Sequence, residues 1–238
     1  MAYGIKLLVW GEFACFTRPE MKVERVSYDI ITPSAARGLL EAIYWKPQMR
    51  WMIDRIHVIN PVRKTHVRRN EISSVISVKG ASGVAAAMKT GKGNLGIAVD
   101  QDRQQRSATI LCDVRYGIEA HVEIVGDEEE GPAVAKHLEM FKRRASGGQY
   151  FQHPYLGNRE FPAEFALVEK FPDSAYSTVP QQDLGLMLHD VEFLPDPDGR
   201  IVRSNDWKRV KAIPRFFSAV MISGVVEVPE LSSREGKP

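Results

Sequence analysis

The pair Lys136-His137 sets a permanent cation beside a side chain that titrates near neutrality. Breaking a phosphodiester asks for both. A proton must be moved, and charge developing on the phosphate must be met by a cation. Tyr44, just past an apolar helical stripe, adds a hydroxyl that can orient a group or donate a proton. Each also has an ordinary reading: a charged outer helix face with a chance histidine, and a half-buried packing tyrosine. A second feature is the run Arg63-Lys64-Thr65-His66-Val67-Arg68-Arg69-Asn70, with four cations and a histidine in eight residues. It reads as a grip on a polyanion backbone or as a solvated loop. The acidic run Asp127–Glu130 is read as favouring the positive end of the helix that follows, not as a metal site. Gly91-Lys92-Gly93-Asn94-Leu95-Gly96 lacks the spacing of a phosphate-binding loop, and no His/Cys/Asp spacing suggests zinc or a metal pair.

The elements that must position these residues follow from periodicity. Val134, Leu138, Phe141 and Ala145 form one apolar stripe in a helix over Gly131–Gly148, with Pro132 at its start and two glycines at its end. At about 100° per residue, Lys136, His137, Met140, Arg143 and Arg144 share an arc away from that stripe. His137 is therefore expected beside the core and not in it. An earlier helix starts at Thr32-Pro33, repeats Ala36, Leu39, Leu40 and Ile43, and stops before Pro47. Strands are expected at Ile5–Trp10, Arg50–Val62, Ala108–Val125 and Phe165–Val168, with a bulge or turn at Tyr116-Gly117. Residues 71–107 are rich in Gly, Ser and Lys and read as a basic, mobile excursion from the core.

That order is βαββαβ, so the fold class is α+β, with a ferredoxin-like (RRM-type) domain over residues 1–171. The texture changes near residue 172. Asp183–Leu194, Val210–Ile213 and Ala219–Val228 make a small C-terminal antiparallel β-sheet region over 172–238, with a frayed tail at Ser232–Pro238.

The composition is that of a globular chain of 238 residues, 44% hydrophobic and 26% charged, with no apolar run approaching a membrane span. Met1–Gly11 reads as a first strand and not as a signal peptide. Cys15 and Cys112 sit in apolar runs, as buried thiols would in a reducing cytosol. Net charge is only +2 but uneven. Residues 1–110 hold 17 Lys and Arg against 9 Asp and Glu, while residues 111–238 hold 15 against 21. The basic first half suggests a polyanion partner; the asymmetry also fits one half docking on the other, or a larger assembly.

Five stretches stand in order along most of the chain: Ile43-Tyr44-Trp45-Lys46-Pro47, Arg68-Arg69-Asn70-Glu71-Ile72, Lys136-His137-Leu138-Glu139-Met140 with Arg143-Arg144, Leu156-Gly157-Asn158-Arg159-Glu160-Phe161, and Asp183-Leu184-Gly185-Leu186-Met187-Leu188. Together they resemble the subtype I-C variant of the CRISPR-associated Cas-five family. The resemblance implies an RRM-like domain with a C-terminal β-sheet region. It implies an endoribonuclease that cuts repeat hairpins of precursor CRISPR RNA without metal or cofactor. The protein would then stay in the effector complex with its other subunits, holding the 5′ handle of the guide. The family's catalytic trio falls on Tyr44, Lys136 and His137. Asn158 and His189 stand where the family pattern has cysteine and tyrosine. No membrane partner is implied, and target DNA is a weaker third ligand.

The chemistry of the residues agrees. Metal-free RNA cleavage uses the neighbouring 2′-hydroxyl as nucleophile and needs a base, an acid and a cation. Lys136 suits the phosphorane charge. His137 and Tyr44 divide the proton transfers in an order that residue types alone leave open. Arg63, Lys64, Arg68, Arg69, Arg143 and Arg144 are the candidate RNA-backbone contacts. The competing reading is a catalytically silent RNA-binding scaffold subunit.

Overall fold

A single sheet of ten strands, ordered β6-β1-β5-β3-β10-β9-β7 with β2 and β4 on β5 and β8 on β9, runs through the computed structural model. In chain order the elements are β1 (Ile5–Ala14), β2 (Arg25–Val26), α1 (Pro33–Ile43), β3 (Met49–Val58), β4 (Lys64–Ile72), α2 (Val84–Thr90), β5 (Arg103–Ile124), α3 (Glu130–Ser146), β6 (Glu164–Leu167), β7 (Gln182–Pro195), β8 (Ile201–Val202), β9 (Arg209–Ile222) and β10 (Val225–Glu227). The structure describes residues 4–230 except 22, 79, 81–82, 94–95, 126–129, 199–200 and 203–208. The acidic run, apart from Glu130 at the start of α3, and the tail 231–238 lie outside the described residues. The protein is thus an α+β protein dominated by an antiparallel sheet, with few helices. No described helix is long and apolar enough to cross a membrane.

Helices α1 and α3 form for the reasons their spacing suggests. The Thr32 hydroxyl accepts from the Ala35 amide at 3.2 Å, Pro33 opens α1, and Ala36, Leu39, Leu40 and Ile43 are buried. Val134, Leu138, Phe141 and Ala145 of α3 are buried in the same core. Beneath them, β3 buries Met49, Trp51 and Ile53, then Ile56 and Val58. The change of parity coincides with a register shift between Ile53 and Arg55, which returns the apolar set to the core side.

Three expectations are corrected. First, β5 is one strand of 22 residues, and Tyr116-Gly117 does not interrupt it. Gly117 is there for close approach: a Cβ would lie 2.6 Å from the Phe171 ring, which also packs at a tilt against His57 with ring centroids 4.6 Å apart. The irregular residue is Asp113, with φ +51°, where β5 passes from partnering β4 to partnering β3. Second, residues 210–222 form one strand through Pro214, not two. Pro214 pairs with Val191 on one side, and no described strand pairs with it on the other, the edge position in which a sheet tolerates proline. β9 then turns into β10 at Ser223-Gly224, with φ +48° and +85°, a two-residue hairpin turn. Third, the solvated-loop alternative for the basic run gives way to a strand: β4 pairs with Arg103–Leu111 of β5 from Lys64 onward.

The excursion is therefore the outer part of an arm whose base is the β4–β5 hairpin and which carries α2. No described residue between 71 and 107 belongs to the hydrophobic core. On the other side, the β7–β9 ladder joins through β10 to β3. The buried Asp190 of β7 accepts from Arg37 of α1 at 2.6 Å and from Arg50 of β3 at 3.3 Å. One carboxylate thus ties the C-terminal strands to the helix that carries Tyr44.

Candidate active site

Tyr44 is the residue on which α1 ends. Its amide still bonds back to Leu40, but its backbone is extended, with φ −155° and ψ 127°. Its carbonyl accepts from the Trp51 indole at 2.9 Å. Trp51 in turn packs edge-on against Phe141, with ring centroids 4.7 Å apart. The apolar stripe of α3, the central strand β3 and the exit of α1 are thereby locked together. The result of that locking is a contact 93 residues apart in sequence: the Tyr44 hydroxyl lies 2.9 Å from His137 Nδ1.

His137 is only 4% exposed. This corrects the expectation that it rides on an outer arc. Position 137 adjoins Leu138 on the helix, and the end of α1 closes over that side. A hydrogen bond shared with a buried hydroxyl offsets the cost of taking an imidazole out of water. Lys136, its neighbour in sequence, is exposed. The pair thus splits between an ammonium in solvent and an imidazole beneath it.

Arg144 also leaves the expected outer arc. It donates to the Ile43 carbonyl at 3.3 Å, and its guanidinium lies 5.1 Å from the Tyr44 ring centroid. α1 has no basic residue in its own last turn, so Arg144 supplies the cation that its C-terminal carbonyls favour. Arg143 stays exposed, with Nη2 3.3 Å from Met140 Sδ. Burial raises the Tyr44 phenol above its ordinary pKa, and Arg144 pulls partly the other way. Tyr44 therefore remains a neutral hydroxyl at physiological pH.

The arm treats its cations differently. Arg63 pairs with Asp113 at 3.5 Å and Lys64 with Asp29 at 2.6 Å. Arg69 pairs with Glu160, which Arg25 also meets at 3.6 Å, and Glu71 bridges Arg25 and Arg106 at 3.3 and 3.5 Å. Arg68 is exposed. The acids that answer the run's own cations, Asp113, Asp29 and Glu160, come from three separate stretches, and nothing in the local sequence of the run points to them. Trp51 and the second role of Arg144 were likewise missed, because both depend on contacts between distant elements.

The two departures from the family pattern are accommodated. Asn158 donates to Glu160 at 3.4 Å. His189 is buried, bonds the Pro229 carbonyl at 2.7 Å and packs edge-on against Phe217. Both cysteines are free thiols. Among the described residues no three His, Cys, Asp or Glu side chains gather as metal ligands.

Comparison with known proteins adds an independent line. A family model described as "CRISPR-associated protein (Cas_Cas5)" matches residues 4–229. A protein of Mannheimia succiniciproducens named "CRISPR pre-crRNA endoribonuclease Cas5d" is 46% identical, with the whole of both chains covered. A protein of Thermus thermophilus with the same name is 40% identical, over 94% of this chain and 91% of that one. A solved structure described as "Crystal Structure of CRISPR-associated Protein" shares the fold, with a TM-score of 0.61 at 22% identity, over 97% of this chain and 93% of that one.

Proposed function

The chain belongs to the Cas5 family of CRISPR-associated proteins, in its subtype I-C branch, and from that premise we propose that it is a pre-crRNA endoribonuclease. It cuts the repeat hairpin by 2′-hydroxyl attack, without metal, and keeps the 5′ handle within an effector complex in the cytoplasm. The observation that carries this reading is the 2.9 Å bond between the Tyr44 hydroxyl and His137 Nδ1, beside the exposed ammonium of Lys136.

The roles divide as follows. Tyr44, kept neutral by burial, holds the imidazole in one orientation through Nδ1 and does not serve as a phenolate base. His137 moves the proton. Lys136 meets the phosphate first and balances the charge that builds on it. Arg144 holds the end of α1, and Arg143 with Arg68 contributes backbone contacts. Arg63, Lys64 and Arg69 reach RNA only by exchanging their acidic partners for phosphate.

We also read residues 1–171 as the RRM-type domain and 172–238 as its β extension. The strand order β6-β1-β5-β3, with α1 following β1 and α3 following β5, supports this reading. The competing reading, an RNA-binding scaffold without catalysis, draws on the burial of His137.

Purified protein incubated with a repeat hairpin in EDTA separates the two. Cleavage leaving a 2′,3′-cyclic phosphate, and resistance of a substrate with 2′-deoxyribose just 5′ of the cut, are expected. Activity that is lost in EDTA and restored by magnesium or manganese sinks the metal-free mechanism. Binding without cleavage under every condition leaves the scaffold.

A further inference from the structure

Three large aromatic side chains stand in solvent around the candidate site. Phe151 is 87% exposed, Trp45 49% and Tyr150 45%. Single exposed apolar residues are ordinary, but grouped aromatics mark a contact surface. These three are grouped by the chain. Trp45 directly follows Tyr44, past the end of α1. Tyr150 and Phe151 follow the end of α3. The two helix ends meet where Arg144 of α3 donates to the Ile43 carbonyl of α1.

The backbone that presents them is held. The amides of Phe151 and Gln152 both donate to the Ala42 carbonyl, at 2.9 and 3.1 Å. The Gln149 amide closes back on Arg144 at 2.9 Å. On the Trp45 side, the Tyr44 carbonyl is held by Trp51, and the Met49 amide bonds the Lys46 carbonyl at 3.1 Å. None of the three rings joins the hydrophobic core, and the only described ring contact of Tyr150 is with His153 at 4.9 Å. Lys46 and Arg143 stand exposed in the same two stretches. Rigidly offered aromatic faces with cations beside them are the chemistry that holds unpaired nucleobases. Each base stacks on a ring while its phosphate meets a cation.

We propose that Trp45, Tyr150 and Phe151 form a stacking platform for unpaired nucleobases of the RNA next to the scissile phosphate. The proposal rests on the nuclease reading for its substrate and adds a specificity. The strand at the cut must be single-stranded and splayed, and the enzyme tolerates different bases there, because every base offers a face to stack.

The test uses the full chain and repeat-hairpin RNAs with 2-aminopurine in turn at each unpaired nucleotide and 2′-deoxyribose just 5′ of the cut. One or two positions should change fluorescence on binding, and that change should vanish in Phe151→Ala. The same variant should bind about tenfold more weakly. An abasic nucleotide at the responding position should weaken wild-type binding similarly and Phe151→Ala little further. Wild-type affinity within twofold for the variant with Trp45, Tyr150 and Phe151 all changed to Ala overturns the proposal. So does normal RNA binding by that variant together with failure to join the other effector subunits, which makes the surface a protein interface. A wild-type protein that stacks the bases but leaves an all-ribose hairpin uncut keeps the platform and removes the nuclease reading. If it binds none of these RNAs, both fall.

Discussion

Helix α3 and strand β4 each carry neighbouring cations and a histidine, and the fold uses them in opposite ways. On α3 the histidine is buried against a hydroxyl and one arginine is turned inward to cap another helix, while Lys136 and Arg143 stay in solvent. On β4 three of the four cations in and beside the strand are answered by carboxylates, and His66 sits exposed beside the Thr109 hydroxyl at 3.1 Å. A strand flanked by β5 and the 155–162 segment meets acids from several neighbours. A helix end wedged on another helix turns one side into an interior. Charge density alone therefore does not identify a site. The site is where a titratable group is held by a specific partner with an exposed cation beside it.

The sharpest way to break this contrast is to remove each histidine. His137→Ala should slow single-turnover cleavage by roughly 10²–10⁴-fold, the range for an acid–base group, while His66→Ala stays near wild type. RNA binding by His137→Ala should fall far less than its rate. Because His137 is buried on Tyr44, its loss should also lower stability by about 1–3 kcal/mol, the cost of an unpaired buried hydroxyl. Urea melts and circular dichroism separate that cost from the rate. Equal rates for the two variants would remove the distinction between the helix and the strand.

Next in size is Lys136→Ala. Losing a cation aimed at the reacting phosphate should reduce the rate by on the order of 10²-fold and weaken binding as well. Stability should be unchanged, since its ammonium stands in solvent. A drop in melting temperature with an intact rate would make Lys136 structural.

How much of this was legible beforehand follows from which contacts are local. α1 and the stripe of α3 were readable because caps and a 3.6-residue period act within one segment. The βαββαβ order allows Tyr44 and His137 to approach one another and the family resemblance groups them, but no local pattern joins positions 93 residues apart. The depth of His137 did not follow at all, because a helical wheel knows nothing of a second helix. Gly117 looked like a break because glycine usually is one, and the ring that needs its missing Cβ lies 54 positions away, at Phe171. The pairing of Arg69 with Glu160 was hidden for the same reason.

The arm supplies a smaller test. Arg68 and Arg69 are adjacent, one exposed and one held by Glu160. Arg68→Ala should flatten the slope of log affinity against log salt by about one unit and leave stability alone. Arg69→Ala should instead lower the melting temperature, because Glu160 loses one of its two arginines and the Phe161 ring loses the guanidinium over it. If both change the slope equally, the ion pairs of β4 open on RNA, and the strand is as available as the helix.

The smallest effect concerns Tyr44 and distinguishes an orienting hydroxyl from a base. Burial raises the phenols of Tyr28, Tyr44 and Tyr116 above the ordinary value. Such a group keeps its proton in the folded chain where the unfolded chain has lost it. The stability it contributes is therefore complete below about pH 10 and is lost as pH rises beyond it. Tyr44→Phe keeps the ring over which Arg144 lies but removes the hydroxyl. It should make the decline of stability above about pH 10 shallower in urea melts, without abolishing it, since Tyr28 and Tyr116 remain. Its rate at neutral pH should fall less than that of His137→Ala, because the imidazole survives and loses only its tether. A phenolate base would behave otherwise. The wild-type rate would keep climbing toward alkaline pH, and the variant would lose that climb. A rate profile that levels off near neutrality in wild type and variant alike assigns the proton to His137 and the orientation to Tyr44. A climb confined to the wild type reverses the assignment.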